Sequence, residues 1–146
     1  MRQLTILIII LFSMALLQCS NQDTQKQQKE KEKVEFAIAI HGGAGNTSEK
    51  DFPEDERKKY KEKLQEALDK GTELLKSNAS AIETVEQVIN IMENSPLFNA
   101  GKGAVFTHQG TNELDASIMN GANLNAGAVA GVRDIKNPIT AAKYVM

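Results

Sequence analysis

Val34-Glu35-Phe36-Ala37-Ile38-Ala39-Ile40-His41-Gly42-Gly43-Ala44-Gly45 is the stretch on which the fold turns. Val34, Phe36, Ile38 and Ile40 alternate with Glu35, Ala37 and Ala39, the period of two that sends successive side chains to opposite faces of a strand. Large groups on one face and mostly small ones on the other predict a strand covered on both sides beyond Glu35. It runs into Gly42, Gly43 and Gly45, which permit positive φ and close backbone approach. A hydrophobic strand feeding a glycine loop, with a helical pattern behind it, is the opening of an α/β fold.

Downstream, Asp51 with Glu54 three residues on predicts an N-cap, and Pro53 and Asp55 suit a first turn. The helix continues through Tyr60, Leu64, Ala67, Leu68, Gly71, Leu74 and Leu75 on one face, with Lys58, Lys59, Lys61 and Lys63 off that stripe as a solvated face. Ser80-Ala81-Ile82-Glu83 is a capping box opening a second helix, whose Ile82, Val85, Val88, Ile89 and Met92 make one apolar edge before Pro96. Ala104–Thr107 and Asn112–Met119 read as strands joined through His108-Gln109-Gly110-Thr111, and Asn120-Gly121 marks the next turn. Ala126–Val132, AGAVAGV, reads as a strand of small residues packed on both sides. Asn137-Pro138 caps a final helix whose apolar stripe still runs at Val145 and Met146, so the sequence is expected to stop inside an element.

Upstream, Arg2 precedes a nearly unbroken apolar run from Leu4 to Leu17, and no acidic or basic residue follows until Asp23. That length suits a signal-peptide core and is short of the roughly 20 residues needed to span a bilayer as a helix. The run ends in Leu16-Leu17-Gln18-Cys19-Ser20, which resembles the lipobox of bacterial lipoproteins, with Cys19 the lipidated residue. Residues 1–19 are therefore expected to be a signal peptide, and the protein to be exported, either periplasmic or held at the membrane through Cys19; secretion without lipid and an uncleaved anchor are the alternatives. Ser20–Lys33 contains no apolar residue and is expected to be a disordered polar tether.

Over 146 residues the chain is 41% hydrophobic and 25% charged, with Lys+Arg 17 against Asp+Glu 19, which is globular and near neutral. Aromatics at 5% with no Trp, and no basic excess, argue against nucleic acid as a partner. A single cysteine excludes an intrachain disulfide and a thiolate zinc cluster. The serine elbow G-x-S-x-G, the phosphate loop, H-E-x-x-H, the EF-hand and C-x-x-C are all absent from the sequence.

Five ordered blocks remain: Ile40-His41-Gly42-Gly43-Ala44-Gly45, Pro96-Leu97-Phe98-Asn99-Ala100-Gly101-Lys102-Gly103-Ala104-Val105-Phe106, Glu113-Leu114-Asp115-Ala116-Ser117-Ile118-Met119, Ala126–Val132 and Asn137-Pro138. In that order and approximate spacing they resemble the plant-type asparaginase family, the isoaspartyl peptidase/L-asparaginases. The resemblance implies an α/β fold of the N-terminal-nucleophile hydrolase type, an αββα sandwich of which residues 34–146 would be a truncated, partial piece, the N-terminal α-subunit part. It implies a precursor that cuts itself before a threonine, whose freed amine serves as base for its own hydroxyl. That nucleophile would lie beyond residue 146, so this chain alone is expected to be inactive. Implied partners are L-asparagine or an isoaspartyl dipeptide, the protein's own C-terminal β-subunit, and a second αβ unit in a homodimer. Two other readings stay open: a non-catalytic lipoprotein module keeping half the fold, and a glycosylasparaginase-like amidase.

By the same resemblance, Asn99 matches an active-site asparagine able to donate to an oxyanion; its other reading is a side chain that fixes a turn. His41, Gly42 and Gly43 match a loop that supports self-processing, though a tight turn explains them equally. Met92–Lys102 resembles a sodium loop, with the carbonyls of Met92, Glu93, Ser95, Phe98, Ala100 and Lys102 as donors to a structural sodium ion; oxygen-only ligation suits a hard cation. The other reading there is an ordinary proline-containing loop.

Overall fold

The computed structural model of the chain describes residues 35–43 and 52–146. The leader, the tether, Cys19, Ala44, Gly45 and Asp51 lie outside the described residues. The elements in order are helix α1 (Glu54–Lys76), helix α2 (Ala81–Glu93), a 3-10 turn (Gly101–Gly103), strands β1 (Leu114–Met119) and β2 (Ala126–Val132), and helix α3 (Pro138–Val145).

Pro53, not Asp51, is the N-cap of α1. The proline ring holds φ near the value a helix entrance needs, and the Pro53 carbonyl accepts the first helical bond from Arg57 N–H at 2.9 Å. Glu54, Asp55 and Glu56 then place negative charge at the positive end of the helix dipole. Lys58, Lys59 and Lys63 pair one turn apart with Glu62, Asp55 and Glu66, as Lys70 does with Glu73, and Lys61 is exposed beside them, the solvated face the pattern predicts. Helix α2 opens on the expected capping box: Ser80 Oγ accepts from Glu83 N–H at 3.2 Å, and the Glu83 carboxylate accepts from Ser80 N–H at 3.1 Å. The carboxylate's bonds from Ser80 N–H and, at 2.9 Å, from the Ser80 hydroxyl hold the Glu83 carboxyl below its ordinary pKa.

Helices α1 and α2 meet at Gly71, which is buried. A Cβ there would collide with Ile38 Cδ1 and come within 2.9 Å of Val88 Cγ2. A glycine inside a helix costs about 1 kcal/mol against alanine, and here the missing methyl is filled by two aliphatic side chains.

Strands β1 and β2 form an antiparallel pair with Ala116 opposite Val129, Ile118 opposite Gly127 and Met119 opposite Ala126. The register slips by one residue between Leu114 and Ala116, and there the Asp115 carboxylate accepts from Gly131 N–H at 2.7 Å. A turn follows Asn120-Gly121 as expected, but it is a six-residue loop, 120–125, closed by Asn120 N–H on Asn125 O at 2.8 Å and Leu124 N–H on Asn120 O at 2.7 Å, with the positive φ at Leu124. Helix α3 lies on the sheet, and Ile118, Ile139 and Ala142 form the buried cluster there with Ile82, Ile89, Ala116 and Val129 around them. Gly127 is the seat: a Cβ on it would strike the Ala142 carbonyl oxygen.

Three strand expectations need correction. Phe36–Ile40 is extended but belongs to no ladder among the described residues. Its large side chains are half-buried while its alanines are exposed, so one face is covered and the other is not. Ala104–Thr107 is not a strand, because its backbone groups are taken by side chains. Val105 N–H donates to Asn99 Oδ1, and Asn112 Nδ2 donates to Ala104 O and Val105 O. The turn beyond it does form, with Thr107 N–H on Thr111 O at 2.7 Å. In β2, Ala126, Ala128 and Ala130 are exposed, so AGAVAGV is packed on one side only, by α3.

Candidate functional site

The glycine turn and the 92–102 loop, separated by about half the domain in sequence, are brought together by Phe98. Gly42 rests against Leu64 and Phe98; a Cβ on it would lie 3.2 Å from Leu64 Cδ1 and 3.7 Å from Phe98 Cε1. Phe98 is buried, and its ring meets Tyr60 edge-on at 5.7 Å between centroids, with Phe52 edge-on to Tyr60 at 5.2 Å. Such contacts fix ring orientation beyond what burial alone supplies. Gly43 takes φ +126°, a conformation that favours glycine, and its N–H donates to His41 Nδ1 at 3.2 Å. His41 is thus a turn-fixing acceptor on its Nδ1 side and is exposed. Between this segment and α2 lies an apolar cavity of about 380 Å³ lined by Ile38, Ile40, His41, Val88, Met92 and Phe98.

Asn99 is exposed, and its two amide ends are unequal. Its Oδ1 accepts from Val105 N–H at 2.9 Å, which fixes the side chain and serves the turn. Its Nδ2 has no hydrogen-bond partner among the described residues. The turn-fixing reading and the donor reading are therefore compatible: one end orients the group and the other can give two N–H bonds. Asn112 is the residue that sequence reasoning missed. It pins Ala104 and Val105 through two bonds at 2.8 and 3.1 Å, and an asparagine just ahead of a strand carries no local signal for that task.

In the 92–102 loop the expected donors are backbone oxygens. Met92 O accepts from Ser95 N–H, Phe98 O from Ala100 N–H and Ala100 O from Gly103 N–H, at 2.8–3.1 Å; a carbonyl has a second lone pair to give. Ser95 is buried, its Oγ accepting from Leu97 N–H at 3.3 Å. Gly101, at φ +51°, lies under the Glu93 carbonyl oxygen, and Gly103 under the carbonyls of Phe98 and Pro96; a Cβ at either position would collide with those groups. Glycine at these two positions lets the loop's carbonyls approach the backbone more closely than any side chain would allow. Lys102 is exposed beside them, and a wider cleft of about 700 Å³ runs from Asn94 past Lys102 to Arg133 and Lys136.

Two carboxylates of α2, Glu86 and Glu93, point to α3 and its cap. Glu86 accepts from Lys143 Nζ at 2.5 Å and from Thr140 Oγ1 at 2.8 Å, and these bonds hold its carboxyl below the ordinary range. The same pair raises the Lys143 ammonium. Glu93 is 3% exposed and accepts from Ile139 N–H at 3.0 Å and from Asn137 Nδ2 at 2.9 Å. Burial pushes its carboxyl up, against the pull of those two bonds. Asn137 stands at the N-cap of α3 as predicted, but its side chain makes no cap bond; it is turned to Glu93 instead. His108 is exposed at the tip of its turn.

This is a mixed α/β chain whose glycine turn, asparagine and carbonyl loop converge on one buried phenylalanine. The profile of the family described as asparaginase matches residues 34–146. The isoaspartyl peptidase of Escherichia coli is 46% identical over 109 residues, 75% of this chain and 34% of that protein. That of Salmonella typhimurium is 44% identical over 109 residues, 75% and 35% of the two chains. The plant-type L-asparaginase of Pyrococcus furiosus is 46% identical over 110 residues, 75% and 34%. The chain belongs to the plant-type asparaginase and isoaspartyl peptidase family, and it spans about a third of the length of the curated relatives it matches.

Proposed function

We propose that residues 34–146 are the N-terminal part of an isoaspartyl peptidase/L-asparaginase with an αββα sandwich, the nucleophilic threonine coming from the portion of the relatives outside the matched third. The observation that carries this reading is Asn99, an exposed residue held by Val105 N–H on its oxygen, with no partner for its amide nitrogen among the described residues. In the reaction the threonine hydroxyl attacks the side-chain carbonyl of asparagine or of a β-aspartyl bond, and the threonine amine takes the hydroxyl proton. Asn99 Nδ2 donates to the oxygen as charge develops on it. The C–N bond then breaks, ammonia or the peptide amine leaves with that proton, and water hydrolyses the ester.

The exposed residues Met119, Ala126, Ala128, Val105 and Phe106 fit this reading, as an apolar surface for the rest of the sandwich, the protein's own β-subunit. The His41–Gly43 turn, seated on Phe98, would shape the backbone during self-processing. Met92, Glu93, Ser95, Phe98, Ala100 and Lys102 would hold a sodium ion through their carbonyls, which supplies a fixed charge that stiffens the loop carrying Asn99. Export and a lipid anchor at Cys19 are proposed from the leader, and a homodimer of αβ units from the family. The test is denaturing intact-mass analysis of the full-length gene product, with assay on asparagine and a β-aspartyl dipeptide. Two chains, the second starting with threonine, and release of ammonia or amine are expected; one uncut species without either activity overturns the proposal.

A further inference from the structure

We infer that Glu93 is a positioning residue that ties the cation loop to helix α3, so that sodium held by the loop and order in the first turn of α3 depend on each other; this rests on the sodium reading above. Glu93 is the last residue of α2, and its two ends serve different partners. Its carbonyl oxygen lies over Gly101 inside the loop. Its side chain, buried at 3% exposure, accepts from Ile139 N–H, the second residue of α3, and from the Asn137 side chain. The first N–H groups of a helix have no partner within it, and the N-cap side chain ordinarily supplies one. Asn137 does not do so; a carboxylate 46 residues earlier does.

The consequence is mechanical. A shift of the Glu93 carbonyl rotates the residue and pulls its carboxylate from Ile139. Fraying of α3 conversely leaves a buried carboxylate short of donors, which is costly, so Glu93 must then move and take its carbonyl out of the loop. Because α3 is seated on Gly127 of β2, the tie extends to the sheet. Glu86, two turns earlier on α2, makes a second tie to α3 through Thr140 and Lys143 without touching the loop, and it is the built-in control.

The experiment is thermal unfolding of the full-length protein in mixtures of sodium chloride and choline chloride at fixed total concentration. A ligand that binds only the folded state raises stability with its own concentration dependence, so the sodium midpoint can be read apart from stability itself. Loss of a partner that orients a metal-ligating residue typically costs about 10–100-fold in affinity, and Glu93→Gln is expected to raise the sodium midpoint about tenfold. Glu86→Gln is expected to lower the melting temperature at every mixture and leave the midpoint where it was. Adding Asn137→Asp to Glu93→Gln reverses donor and acceptor in the pair and should bring the midpoint back. Should Glu93→Gln not fold, Asn137→Ala removes only one of the two side-chain bonds and should shift the midpoint in the same direction. Midpoints unchanged in Glu93→Gln, or in Asn137→Ala where that variant stands in, overturn the tie while leaving the sodium loop intact. A wild-type protein indifferent to sodium overturns the loop reading and the tie together.

Discussion

Asn99 offers a test in which one atom is changed at a time. Its Oδ1 takes Val105 N–H at 2.9 Å, while its Nδ2 has no partner among the described residues. Asn99→Asp keeps the acceptor and removes the donor; Asn99→Ala removes both. The bond to Val105 is an exposed neutral one, so its loss in Asn99→Ala is expected to cost about 1 kcal/mol of stability at most, and Asn99→Asp close to nothing. If Nδ2 feeds the oxyanion, either variant forfeits a donor whose removal typically costs about 10²–10³-fold in kcat, or about 2.7–4 kcal/mol. Asn99→Asp should fall at the severe end, because it sets a negative charge where another develops. The assay is kcat and KM on a β-aspartyl dipeptide, on protein whose mass shows complete processing so that a maturation defect is not counted as a catalytic one, with melting temperature measured alongside. The signature is a stable Asn99→Asp with little turnover. Turnover in Asn99→Asp within roughly threefold of wild type, under 1 kcal/mol on the barrier, refutes the donor role and leaves Asn99 a turn residue.

The Glu86–Lys143 clamp makes stability depend on pH at both ends. The Glu86 carboxyl is lowered in the folded state, so its contribution is present above the unfolded value of 4.5 and is lost as pH falls through the folded one; Lys143 is raised, so its contribution is present below 10.5 and is lost as pH rises through its folded value. Glu86→Gln should flatten the acid limb of a melting-temperature profile, and an unaltered limb would remove the clamp from the account. Gly127→Ala puts a methyl against the Ala142 carbonyl, a backbone atom that cannot step aside, and should cost about 1–3 kcal/mol in denaturant unfolding. An unchanged unfolding midpoint would mean α3 is not seated there. Cys19→Ala should move the protein from the membrane fraction to the soluble one, and unaltered fractionation would dismiss the lipid anchor.

Local rules were legible where the structure is local. The Ser80–Glu83 box, the α1 stripe and a turn after Asn120 are decided within a few residues and are found where the pattern puts them, whereas the α2 edge holds except at Val85, which is exposed while Thr84 and Glu86 beside it are buried. Strands are another matter, since a ladder needs a partner that alternation cannot name. Phe36–Ile40 has the period of a strand and the side-chain burial of one face, yet no ladder partner among the described residues. Ala104–Thr107 has the residues of a strand, but its backbone bonds go to Asn99 and Asn112, and both asparagines read locally as turn or edge residues.

The site divides the same way. Gly42, Gly43, Gly101 and Gly103 announce tight backbone, and the structure gives each a reason: a seat on Phe98, a positive φ, or a carbonyl overhead. Glu93 announces nothing, because a glutamate at a helix end is ordinary and its partners lie 44 and 46 residues away. Its two sides also differ in what they require. The carbonyl needs only a backbone, so any residue could supply it, whereas the side chain must reach a helix terminus from inside the protein and accept two bonds once there. Aspartate is one methylene short of that reach, and glutamine accepts one bond where a carboxylate accepts both. If the carbonyl alone mattered, Glu93 would be replaceable by alanine in a chain whose 92–102 loop keeps its form. It is the buried carboxylate that makes the position demanding, and so the loop's dependence on α3, rather than the loop itself, is what the choice of glutamate encodes.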